Sequence, residues 1–274
     1  MASILTNSSA MVALATLNDI NRGLNETQNR VSSGLAIRSG KENAAYFAIS
    51  ETMKGDSGMF KAINEGMTAT KNSVATARLG AETVSDLAQQ IVERIAFAQS
   101  NGIDKDAVQT ELDALVNNMQ SAIDQATFNG DDLVSGAAAS VSVVTGISRA
   151  GPTFATTTIS FTSVDLQTIQ TNLAAIDLVA SIDLEADLVT AEAELQNAIA
   201  AATSLGVTEN TLEGQMQFLD SLTDTLDSGV SSMVDADMEE EAARLQAYQV
   251  QQQLATQSLS IANQSPQNIL SLFR

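Results

Sequence analysis

Both ends of this chain lack charge and carry an apolar stripe, and that combination restricts the fold more than any other feature of the sequence. No charged side chain occurs from Ala2 to Asn18 or from Leu245 to Phe273. Chain termini are normally exposed and polar, so ends built of aliphatic residues, Asn and Gln need cover. From Met11 to Leu35 the apolar residues Met11, Leu14, Leu17, Ile20, Leu24, Val31 and Leu35 recur at helical spacing, which predicts an amphipathic helix. The last helix is expected from about Asp237 to Gln264, with Met238, Leu245 and Leu259 on one row, Val250, Leu254 and Ile261 on another, and Pro266 ending it. Two fates are open to such ends. They dock onto a central bundle as ordinary core, or they stay poorly ordered until neighbouring copies enclose them.

Between the ends the pattern is mostly helical. Ser32–Gly40, with two Gly and three Ser, reads as a loop. A second helix is expected from about Asn43, weakened in its middle by Gly55, Gly58 and Gly66 and strong along Val74, Ala77, Val84, Leu87, Ile91, Ile95 and Ala98. From Met67 to Gln99 alone it would exceed roughly 45 Å. Asn101-Gly102 is expected to close it as a C′ cap, and Asp104 to N-cap a third helix reaching about Phe128 and packing antiparallel on the second. After Asn129-Gly130 the period changes to two, with Val141, Val143, Ile159 and Phe161 alternating with Ser and Thr around the turn-rich Ser148–Pro152, which predicts a β-hairpin at about 139–163. Helical spacing resumes near Asp165, pauses at Leu205-Gly206, and continues through Leu212, Met216, Leu219, Leu226, Val230 and Met233 with Thr223 as the polar interruption. The expected fold is mainly α: an elongated antiparallel helical bundle or coiled coil, with paired terminal helices and a small β-hairpin region at mid-sequence. Residues 1–40 and 237–274 would form an inner coiled-coil domain, and 41–236 an outer helical domain.

Composition then removes most chemistry. The chain has no Cys and no His, which excludes disulfides, thiolate nucleophiles and the commonest general base and metal ligand. Its net charge of −20 lies wholly in residues 101–274, because nine Lys/Arg balance nine Asp/Glu in the first hundred. That balance argues against nucleic acid and anionic membranes as partners. Asp104, Asp106 and Glu111 lack the spacing and the glycine of an EF-hand, so capping explains Asp104 better. The cluster Asp235, Asp237, Glu239, Glu240, Glu241 could hold a hard cation, but an acidic first turn of the last helix accounts for it more simply. The sequons at Asn7, Asn25 and Asn263 fall on amphipathic elements and are read as chance. No cofactor, no metal and no enzymatic activity are expected. Nothing at the N-terminus has the pattern of a signal peptide and no run of ~18 apolar residues occurs, so the chain is expected to be neither Sec-exported nor membrane-spanning.

The opening MASILTNSSAMVALATLNDINRGLNETQNRVSSGLAIRSGKENAAYFAI and the ending ANQSPQNILSLFR resemble the two terminal regions of bacterial flagellin, the filament subunit of the flagellum. Arg30, Ser32-Ser33-Gly34-Leu35, Lys41 and Asn43-Ala44-Ala45, together with Gln264, Pro266-Gln267 and Leu270-Ser271-Leu272, carry the resemblance. It implies a helical homopolymer for swimming motility whose inner domain lines the filament channel. It also implies export through the flagellar type III apparatus, binding by a flagellin chaperone, contact with filament cap and junction proteins, and an extracellular location. The filament interface would include Leu14, Leu17, Leu24, Arg30, Val31, Ser33, Gly34, Leu35, Asn43, Ala44, Ala45, Leu245, Leu254, Leu259, Ile261, Gln264, Pro266, Leu270 and Leu272. With only about Ser135–Val164 available at mid-sequence, large outer domains are not expected. Some flagellins are recognised by a Toll-like receptor through a basic patch on the long helix; Ala88–Glu93 lacks the arginine such a patch would carry beside Gln89, which argues against that recognition. Two alternatives stay open: a hook-filament junction protein, which would normally have a longer middle, and a soluble helical adaptor or chaperone.

Overall fold

A computed structural model describes residues 7–148 and 155–272, with side chains to Gln264. Among them, six helices and two small antiparallel sheets follow in the order α1 (Ser8–Ser33), α2 (Ala44–Ala98), α3 (Lys105–Gln125), β1 (Thr127–Phe128), β2 (Asp131–Asp132), β3 (Ser140–Ser148), β4 (Ala155–Thr162), α4 (Leu166–Ala174), α5 (Leu184–Val234) and α6 (Met238–Leu272). The fold is mainly α. The chain divides into two compact units, one of residues 1–56 and 225–274 and the other of residues 57–224.

In the 57–224 unit the helices are held by rows of residues seven apart. Met67, Val74, Ala81, Ala88 and Ile95 of α2, and Ala191, Ala198, Leu205, Leu212 and Leu219 of α5, are all buried. A strict seven-residue repeat keeps one seam facing its partner, as in a coiled coil. Asn64 to Asp220 (2.5 Å), Lys71 to Glu213 (3.1 Å) and Arg78 to Glu209 (2.8 Å) mark the antiparallel register of α2 on α5. Such exposed pairs add little stability, but they discriminate against slipped registers. The third helix packs antiparallel on α2, with Arg94 beside Glu111 (3.3 Å) near one end and Gly80 against Ala126 near the other. A Cβ at Gly80 would lie 2.4 Å from that of Ala126, so only glycine permits this approach.

Strands β3 and β4 pair over Ser140–Ser148 and Ala155–Thr162, with a shift of register between Val144 and Gly146. The connecting turn, where the sequence places Arg149-Ala150-Gly151-Pro152, lies outside the described residues. Gln215 of α5 holds the hairpin by donating from Nε2 to Thr145 O (3.1 Å). Asp132 opens the segment leading into it, accepting from the N–H groups of Val134 (3.0 Å) and Ser135 (2.9 Å). Burial pushes the Asp132 carboxyl up, but these bonds and the Ser135 hydroxyl outweigh it and hold the group below the usual carboxylate range.

The structure departs from the periodicity at five places. The second helix runs unbroken through Gly55, Gly58 and Gly66, because the buried row through Phe60, Met67 and Val74 outweighs a cost of ~1 kcal/mol per glycine. Gly102 (φ +89°) sits in a turn four residues beyond the end of α2 rather than at its C′ position. Asn129 (φ +53°) and Gly130 (φ +88°) form a two-residue turn that makes its own small hairpin, β1–β2, ending α3 short of Phe128. The α5 helix does not pause at Leu205-Gly206, since Leu205 is fully buried and belongs to the seven-residue row. Finally, α6 continues through Pro266 to Leu272.

Candidate assembly surface

Helices α1 and α6 of the other unit run antiparallel, and their meetings descend along α6 in order. Asn7 Nδ2 donates to Ala262 O (2.8 Å), Gln252 Nε2 donates to Asn21 Oδ1 (2.7 Å), and Arg30 Nη1 reaches Glu241 Oε1 (3.2 Å). Between the last two, Tyr248 lies on Gly23, where a Cβ would meet its ring at 2.6 Å. Below Arg30 the backbones join: Ala36 N–H donates to Val234 O (2.7 Å) and Ala236 N–H to Gly34 O (2.9 Å).

The acidic cluster before α6 is used by this pairing. Asp237 Oδ1 caps the helix by accepting from the N–H groups of Glu239 (3.0 Å) and Glu240 (3.2 Å). The Glu241 side chain is buried and accepts from both Arg30 and Arg244, while Arg30 also pairs with Glu26 (2.8 Å) and Arg244 with Glu240 (2.5 Å). A buried carboxylate must be paired to be tolerated, and two guanidinium groups serve it here.

Several sequence-selected residues have local duties. Gly34 takes the left-handed conformation (φ +72°) that ends α1, its N–H donating to Arg30 O (2.8 Å). Ser33 Oγ donates to Asn29 O (2.8 Å) and accepts from Leu35 N–H (3.3 Å). Asn43 Oδ1 accepts from the N–H groups of Ala45 (3.1 Å) and Tyr46 (3.2 Å), capping α2. In the loop between, Glu42 is held below the usual glutamate range, first by the Arg38 N–H (2.6 Å), against desolvation, and then by its guanidinium (3.1 Å).

The pair covers little of its own apolar surface. Of α1, only Leu24 and Thr27 are buried. Leu17, Val31, Leu35, Leu245 and Leu259 are half-buried along the seam, whereas Leu14, Ser33, Ala44, Ala45, Leu254, Ile261 and Gln264 are exposed. Met11, Val12 and Ile261 keep 66%, 67% and 69% of their surface in solvent, and Val250 and Leu254 more than half. The side chains of Pro266, Leu270 and Leu272 lie outside the described ones. Val12, Gly23 and Tyr248 were not singled out from the sequence, and Asn7 only as a sequon read as chance: Val12 is off the stripe, and a glycine opposite a tyrosine is invisible until the helices are in register.

Two helices that pair along their length and still leave Met11, Val12, Val250, Leu254 and Ile261 in solvent match a known family over those same regions. Residues 4–139 fit the bacterial flagellin N-terminal helical region, and residues 188–273 the bacterial flagellin C-terminal helical region. A flagellin of Brucella melitensis is 37% identical over the whole of both chains. The chain belongs to the bacterial flagellins. Flagellin C of Rhizobium meliloti is 33% identical, again over the whole of both chains, and flagellin FljK of Caulobacter vibrioides is 32% identical over 99% of this chain and 98% of its own. This flagellin is therefore a structural subunit of the bacterial flagellar filament, which assembles by helical self-polymerisation and serves motility; it is not an enzyme. A junction protein is the weaker reading, since both terminal regions and the full-length relatives are those of flagellins. Residues 140–187, which hold β3, β4 and α4, lie between the two matched regions.

Proposed function

We propose that the faces of α1 and α6 left in solvent are covered by neighbouring copies in the filament, and that the inner domain of the subunit is residues 1–40 with 237–274. The observation that carries this is the exposure of Met11, Val12, Leu14, Val250, Leu254 and Ile261 on two helices almost free of charge along these stretches. Six large apolar side chains left in solvent on two paired helices call for a partner. In a homopolymer the partner is the same surface on another copy or the seam beside it, so no opposite charge is needed. Arg30 and Asn43, with Ser33, Gly34 and Leu35, would act at one remove by fixing the loop that joins α1 to α2 and setting where Ala44 and Ala45 meet the next subunit.

The same reading gives the finer partners. The flagellin is exported unfolded by the flagellar type III apparatus, guarded by a chaperone on its C-terminal region, and added beneath a filament cap to an extracellular filament; the absence of Cys agrees with passage as an unfolded chain. Deleting Leu245–Arg274 should leave a folded helical monomer that cannot elongate filament seeds, while the full chain does. Electron microscopy of seeded samples decides it: filaments of normal length from the truncation, or a full chain that stays monomeric with seeds, would remove the proposal.

A further inference from the structure

In an α-helix the N–H of each residue donates to the carbonyl four residues earlier, so the carbonyl of Ala262 should be served by residue 266. Residue 266 is proline, which has no N–H, yet the backbone stays helical through it to Leu272. The missing donor comes from the other terminus: Asn7 Nδ2 donates to Ala262 O at 2.8 Å. The opposite end of the same amide is also used, because Asn7 Oδ1 accepts the Ala10 N–H at 3.1 Å and so caps α1. One carboxamide thus repairs α6 and starts α1.

The placement has a directional consequence. Near the loops, the two helices are tied by backbone bonds through Gly34 and Ala236. Toward the chain ends their polar contacts are degenerate, since Asn21 faces a run with Gln249, Gln251, Gln252 and Gln253, any of which offers the same amide. The carbonyl of Ala262 is different, because among the described helices no other carbonyl stands four residues before a proline. A slip of α6 by one turn would move it ~5.4 Å away from Asn7. We infer that Asn7 and Pro266 form a keyed pair that clamps the free ends of α1 and α6 in one register, so that Met11, Val12 and Leu14 are presented together with Leu254 and Ile261. The pair acts by positioning, and its effect on assembly rests on the filament reading above.

Asn7→Asp keeps a capping oxygen and removes the donor, and Pro266→Ala returns to Ala262 its own N–H. The full-length chain and the three variants (each single and the double) are compared by seeded elongation and by amide hydrogen exchange in the first two turns of α1. The clamp predicts that Asn7→Asp raises the critical concentration and speeds exchange roughly 5- to 30-fold, the equilibrium change expected when a carbonyl loses its donor. Adding Pro266→Ala serves Ala262 O from within α6 but does not rejoin the helices, so both readings should stay impaired in the double variant. Pro266→Ala alone should shift them in the same direction by competing for that carbonyl. A double variant restored to the parent's readings would overturn the clamp, since the helix ends would then be held without the tie, as would a silent Asn7→Asp. Exchange tests it even if the parent chain fails to elongate seeds, a result that would count against the filament reading alone.

Discussion

Ile261 offers the sharpest separation between what holds the monomer and what holds the polymer. Burying an isoleucine side chain completely is worth about 1.5–3 kcal/mol, and within its own chain this one leaves 69% of its surface in solvent. If a neighbouring copy covers the remainder, Ile261→Ala forfeits about 1–2 kcal/mol per subunit interface, which raises the critical concentration for elongation roughly 5- to 30-fold. In the monomer the same change removes few contacts and should stay within about 0.5 kcal/mol of the parent, as expected for exposed sites. Leu24→Ala is the internal contrast, because Leu24 is buried in the α1–α6 pair and truncating a buried leucine costs about 2–5 kcal/mol of the fold itself. Urea denaturation of the monomer and seeded elongation followed by light scattering give the two readings. If Ile261→Ala elongates like the parent, or loses as much in the monomer as in the polymer, the face around Ile261 is not covered by another copy and the reasoning fails.

Two further outcomes follow from the geometry. Gly80→Ala should destabilise by about 1–3 kcal/mol, because its Cβ would meet that of Ala126 at 2.4 Å and neither atom can rotate away, whereas Gly58→Ala on the same helix, with nothing within 4 Å, should stabilise by about 0.5–1 kcal/mol; denaturation midpoints moving in the same direction would contradict this. Because the folded Glu42 is held below the ordinary glutamate pKa of ~4.3, its tie to Arg38 is complete above that value and is lost as pH falls through the lower folded one; an Arg38 amide NMR signal titrating at or above ~4.3 would reverse the sign.

Fold class was legible because burial here follows the period. The seven-residue rows through Met67–Ile95 and Ala191–Leu219 are continuous in the sequence, and their side chains are the buried ones. The glycines were not legible in the same way. Gly66 and Gly206 read alike as weak points, and both lie inside unbroken helices, since a propensity of about 1 kcal/mol is decided by packing from residues far along the chain. Gly23 and Gly80 carry no local signal at all, and in each a side chain more than forty residues away lies where its Cβ would be, immovably so for the Cβ of Ala126 at Gly80.

The sequence by itself determined that the ends are helical, neutral and apolar, for these properties are carried by residue type and spacing alone. Family membership was equally within its reach, being written in the terminal segments. Only the tertiary structure decided which apolar residues the chain covers for itself, burying Leu24 and leaving Met11 and Ile261 in solvent, because cover depends on the register of α1 against α6. That register also decided the fate of Pro266. Proline removes the N–H that would serve Ala262 O and crowds that carbonyl, and here the carbonyl is served by Asn7, at the far end of the chain.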